Sequence, residues 1–119
     1  MNHIELGQKG EEIAINYLVS KGYQVKARNF RWNRGEVDLI CESQNQLKII
    51  EVKTRVSAYF GAPYLAVNRA KQKQIIRIAN YYIQENQIDK EVEFDVVSIV
   101  LNSSKMELEH IENAFYPML

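Results

Sequence analysis

Apolar residues first recur along the chain at helical spacing. Ile13, Ala14, Tyr17 and Leu18 share one side of a 3.6-residue repeat and Gly22 follows as a stop, which predicts a helix over residues 5–21. The period then drops to two. Tyr23, Val25 and Ala27 alternate with Gln24, Lys26 and Arg28, predicting a strand over 23–30 with those two sets on opposite faces. RWNRG, residues 31–35, reads as a turn, and strands over 36–42 and 47–54 flank the polar turn at 43–46. Residues 55–66, with Gly61 and Pro63, lead to a second helix from about 68 to 85. Asn68 caps it, and Ala70, Ile75, Ile78, Ala79 and Tyr82 form its apolar stripe. Strands over 93–101 and 106–111 complete an α/β chain of order αβββαββ. Its 119 residues, without repeats or linkers, are read as one domain over 1–119.

Charges interrupt this pattern inside the strands. By alternation Glu36, Asp38 and Ile40 share one face, and Val37, Leu39 and Cys41 the other. Ile49, Glu51 and Lys53 likewise share a face of the next strand. The short turn makes the two strands hairpin neighbours, so Asp38 and Glu51 can meet. Two close carboxylates repel unless a cation sits between them. Lys53 supplies one, and oxygen ligands favour Mg²⁺, Mn²⁺ or Ca²⁺ as another. The alternative is a solvated strand face, which also shows charges at every second position. A metal held by Asp38 and Glu51 implies phosphodiester hydrolysis, with Lys53 orienting water or offsetting phosphate charge.

Composition narrows the classes. Net charge is zero, yet five basic residues and no acid lie between Lys21 and Arg34, and six more between Val52 and Gln84. A neutral chain with such segments can carry a basic face. Cys41 is the only cysteine, which excludes an internal disulfide and argues against a Cys-based zinc site. His3 and His110 show no metal-ligand spacing. MNHIELGQKGEE lacks the apolar core of a signal peptide and no apolar run is long enough to span a membrane, so a cytoplasmic setting without membrane contact is expected.

Asp38, then Glu51-Val52-Lys53, resembles the PD-(D/E)xK nuclease signature. Beyond that short motif, GQKGEEIAINYL, GYQVKARNFRWNRGEVDLI, IIEVKTR, FGAPYLAVNRAKQ, EFDVVSI and HIENAF resemble, in order, the blocks of the YraN family. These are small bacterial proteins described as predicted endonucleases, distantly related to archaeal Holliday-junction resolvases. The resemblance implies a restriction-endonuclease-like core, with a mixed central sheet flanked by helices. It implies Glu11, Asp38, Glu51 and Lys53 as catalytic residues. Asp38, Glu51, Glu11 and Glu36 would hold Mg²⁺ or Mn²⁺. Glu12 faces about 100° away from Glu11 on the helix, so only one of the two points into a site.

Arg28, Arg31, Arg34, Arg55 and Lys71 are the candidates for nucleic-acid phosphates, while Lys73 and Arg77 read as a solvated helix face. Trp32 suits either a stacked base or edge packing. Tyr81, Tyr82 and Phe115 suit packing. Three functions follow as expectations. The first is a metal-dependent DNA endonuclease acting on branched or structured DNA, with a homodimer suited to cutting two strands of a junction. The second is a nucleic-acid-binding module on the same scaffold without turnover. The third is a subunit of a repair or DNA-uptake assembly, suggested by the apolar loop residues Tyr59, Phe60, Tyr64 and Leu65.

Overall fold

A computed structural model describes residues 1–57 and 67–117 of the chain. Tyr59, Phe60, Tyr64 and Leu65 lie outside the described residues. The elements are α1 (His3–Ser20), β1 (Gln24–Trp32), β2 (Gly35–Ser43), β3 (Gln46–Arg55), α2 (Arg69–Glu85), β4 (Glu91–Leu101) and β5 (Met106–Phe115), in the expected αβββαββ order.

The strands form one mixed sheet in the order β1-β2-β3-β4-β5. β3 and β4 run parallel, joined through α2, and every other pairing is antiparallel. This places the central β3 between a hairpin partner and a crossover partner, the mixed sheet flanked by helices that was anticipated. The ends differ from expectation by a few residues. α1 begins two residues early because the Asn2 side chain accepts the Glu5 N–H at 2.8 Å. β1 runs through Trp32, so the turn contracts to Asn33 and Arg34, both at positive φ (50° and 66°). That is the backbone a two-residue hairpin turn requires. β5 continues to Phe115, whose ring stacks on Phe94 at 5.2 Å.

Each face of the sheet has its own core. Ile75, Ile78, Ala79 and Tyr82 of α2 pack against Val37, Ile40, Ile49, Phe94 and Val96. Ala70, expected in the stripe, is exposed at the first turn. On the opposite face, Ala14 and Leu18 of α1 cover Leu39, Cys41, Ile50, Val97 and Ile99. Burial of the Cys41 thiol there pushes its pKa up to about 12. Among the described residues no helix is long and apolar enough to cross a membrane.

The strict alternation read for β1 and β2 fails at two places. Tyr23 and Val25 pack on the α1 side, but Ala27 packs on the α2 side, because the β1 register shifts between Val25 and Ala27. In β2, Val37 and Ile40 both face α2, whereas Leu39 and Cys41 face α1. The step falls at Asp38, opposite Asn29 with its φ of 49°. So Ile40 does not share a face with Asp38, and Val37 does not share one with Leu39.

Candidate active site

The β2–β3 ladder is regular from Ser43↔Gln46 to Leu39↔Ile50 and stops at the next pair, Asp38 and Glu51. Side chains take over there. The Asp38 N–H donates to Glu51 Oε1 at 3.2 Å, and the Val52 N–H donates to Asp38 Oδ2 at 2.8 Å. Each carboxylate thus keeps one oxygen on a backbone donor. The other oxygen of each has no hydrogen-bond partner among the described residues. Glu51 is only 3% exposed and Asp38 is half-buried, so Glu51 does not lie on a solvated face.

Electrostatics follow from that placement. Burial and then the neighbouring Asp38 push the Glu51 carboxyl up to about 8. Asp38 is also raised, by burial first, with Glu11 adding to the effect. Two lysines work against these shifts. Lys71 acts more strongly on Glu51, and Lys53 more strongly on Asp38.

Both helices are brought in by glycines. A Cβ at Gly10 would meet Thr54 Oγ1 at 1.8 Å, so α1 lies directly on β3 there and carries Glu11 to the sheet. Glu11 lines an open cavity of about 700 Å³ together with Glu36, Asp38, Val52, Lys53 and Thr54. Glu12 is exposed, so one glutamate of the pair faces the cavity, as the helix geometry requires. A Cβ at Gly35 would meet the Gln74 and Ile78 side chains at 2.8 Å. That approach of α2 lets Lys71 Nζ donate to the Glu36 carbonyl at 3.2 Å and to Gln74 Oε1 at 3.3 Å.

The remaining candidates are distributed around this centre. Arg28 donates to Glu11 Oε1 at 3.3 Å and Asn29 donates to the same oxygen at 3.1 Å. Arg31 pairs loosely with Glu36 at 3.7 Å. Arg34 is exposed at the hairpin tip, and half-buried Arg55 ends β3. Lys71, read as a phosphate contact, instead lies close enough to the carboxylate pair to lower the pKa of both members. Trp32 stacks on Tyr81 at 4.5 Å with rings 12° apart, which is edge packing. Tyr82 and Phe115 belong to the core.

A second polar cluster, invisible to spacing along the chain, lies on the α1 side of β3, β4 and β5. Lys48 is 1% exposed and pairs with Glu93, with Asp95 at 3.2 Å and with Glu112 at 3.2 Å. Asp95 also meets His110 Nε2 at 2.8 Å and accepts the Asn113 N–H at 2.9 Å. The Tyr17 hydroxyl lies 3.1 Å from His110 Nδ1. Asp95, His110 and Glu112 bring ligand atoms within 4.8 Å of one another, a spacing compatible with a metal ion. The Lys48 ammonium already occupies the cationic position. Although burial works to raise Asp95, the His110 hydrogen bond, the Asn113 N–H and Lys48 hold it below the usual range. Alternating strands hide such a cluster, because its members come from three strands distant in sequence.

Fold and site together define a small mixed α/β protein whose central hairpin opens at an acidic pair, Glu51 buried and Asp38 half-buried. The family model described as "Uncharacterised protein family UPF0102" matches residues 10–99. A "UPF0102 protein" of Thermodesulfovibrio yellowstonii is 47% identical over 98% of this chain and 100% of its own length. A second, from Christiangramia forsetii, is 40% identical over 96% of both chains. A third, from Caldanaerobacter subterraneus, is 42% identical over 97% of this chain and 98% of its own. The chain belongs to the UPF0102 family, also called the YraN family.

Proposed function

We propose that this protein is a metal-dependent endonuclease that hydrolyses phosphodiester bonds in DNA, with branched or structured DNA as its substrate class. The observation carrying this reading is the opened ladder at Asp38 and Glu51. A fold gains nothing in stability by burying a carboxylate beside a second one that raises its pKa. A divalent cation between them removes that penalty, and their all-oxygen donor set suits Mg²⁺ or Mn²⁺. When bound, such an ion polarises a phosphoryl oxygen and makes water nucleophilic near neutral pH.

Asp38 and Glu51 would hold the ion, and Glu11 and Glu36, on the wall of the same cavity, would complete its surroundings. Lys53 orients the attacking water or offsets charge developing on the phosphate. Arg28 tethers Glu11 until a phosphate competes for its guanidinium. Arg31, Arg34, Arg55 and Lys71 neutralise the backbone near the scissile bond. A homodimer would present two such centres to the two strands of a junction.

The test is Mn²⁺-dependent cleavage of labelled junction, flap, single-stranded and duplex DNA, run beside Glu51→Ala. Cleavage by the parent, reduced at least about a hundredfold in the variant, is the expected result. Cleavage of no substrate by either protein favours the binding module. In that case Asp38→Ala should leave DNA affinity intact or raise it, since an acid facing phosphate is removed.

A further inference from the structure

We propose that a basic track beyond the acidic cavity carries the sugar-phosphate backbone of the duplex arm that flanks the scissile bond. The track runs over the β1–β2 hairpin tip and along the outer face of α2. The proposal rests on nucleic acid being the substrate class, as proposed above.

Four depressions define the track because neighbours share their walls. The acidic cavity shares Arg31 and Glu36 with a hollow lined by Arg34, Gly35 and Lys71. That hollow shares Trp32, Asn33 and Gln74 with a third, which also contains Arg77. Arg77 in turn joins a fourth, lined by Arg69, Lys73, Ile76 and Tyr116. The path is continuous from the carboxylates to the far side of α2.

Its charge is of one sign beyond Glu36. α2 carries Arg69, Lys71, Lys73 and Arg77, and its single acid, Glu85, is its last residue. The first turn holds no acid, although the helix dipole favours one there. Arg34 sits at φ 66°, where glycine or asparagine is the low-strain choice. Arg34, Lys73 and Arg77 are exposed and make no ion pair among the described residues. Lys73 and Arg77 are one helical repeat apart, about 6 Å along the axis, so both can face one backbone. These were the two basic residues that the sequence assigned to solvent.

Strand β5 carries the other sign. Glu107, Glu109 and Glu112 are exposed on β5. A polyanion is therefore directed toward α2 and away from β5, although the chain is neutral overall.

The experiment is fluorescence anisotropy of a labelled DNA duplex, titrated with the protein in EDTA over a range of salt concentrations. Lys73→Glu/Arg77→Glu is compared with Lys105→Glu, which reverses an exposed charge at the β4–β5 turn. The double variant should bind at least about tenfold more weakly, with a salt slope smaller by about two. Lys105→Glu should match the parent. Parent-like affinity and slope in the double variant, an equal loss in Lys105→Glu, or no binding by the parent would each overturn the track. The readout is independent of cleavage. Binding lost in the double variant without cleavage by the parent sinks the nuclease alone, and cleavage with indifferent binding sinks the track alone.

Discussion

Two clusters of charge are buried in this small sheet, and they are solved in opposite ways. Around Lys48, one ammonium meets Glu93, Asp95 and Glu112, and His110 closes the network. Asp95 is fully buried and its pKa is lowered. Around Asp38 and Glu51 the carboxylates face each other and both pKa values are raised. Lys53 and Lys71 lower both pKa values without cancelling the rise. Burial is common to both clusters, so burial does not separate them. Electrostatic completeness does. The Lys48 cluster contains its own counter-ion, whereas under the proposed function the Asp38 cluster is completed by a bound cation.

Removing a cation separates the two most sharply. Lys48→Ala leaves Asp95 buried without its ammonium and should cost about 3–5 kcal/mol in urea unfolding. Adding Asp95→Asn should recover part of that loss. Glu51→Gln should leave the metal-free protein as stable as the parent or more so. A mild Lys48→Ala effect would erase the distinction.

Gly10→Ala tests whether the Asp38–Glu51 cluster is a built site. Its methyl would force Thr54 aside, at a cost of about 1–3 kcal/mol. Because Gly10 precedes Glu11, cleavage should fall by more than the lost folded fraction. Activity that only tracks stability would remove Glu11 from the site.

The smallest effect is on the pH dependence of stability. Glu51 rises from an ordinary 4.5 to about 8, so the native state holds a proton that the unfolded chain releases. Its contribution is complete below pH 4.5 and is lost as pH climbs toward 8. Asp95 acts with the opposite sign, favouring the fold above its ordinary 3.8 and losing that contribution in acid. Urea titrations without metal should show a decline in stability as pH rises from about 5 to 8 that Glu51→Gln abolishes. Mn²⁺ should oppose the same decline, since metal and proton compete for one carboxylate.

Much of this was legible along the chain. Helical period marked α1 and α2, period-two alternation marked the strands, and Asp38, Glu51 and Lys53 stood out as charges inside apolar runs. Family resemblance added Glu11 and the sheet-and-helix architecture. Local rules failed where strands leave regular geometry. The steps at Lys26, Asn29 and Asp38 reassign faces, and alternation cannot foresee a bulge.

The amino-acid order by itself determined which segments become helix or strand, because propensity and periodicity act over a few residues. It also determined that two carboxylates would stand across one hairpin, because a short turn sets the register of its strands. Tertiary structure alone decided that β3 pairs parallel with β4 and that Lys48 meets Asp95, Glu112 and His110. It alone decided that Lys71 reaches the site from α2. Those contacts join residues far apart in the chain, and their energies come from burial and charge neutralisation that exist only once the sheet has closed against both helices.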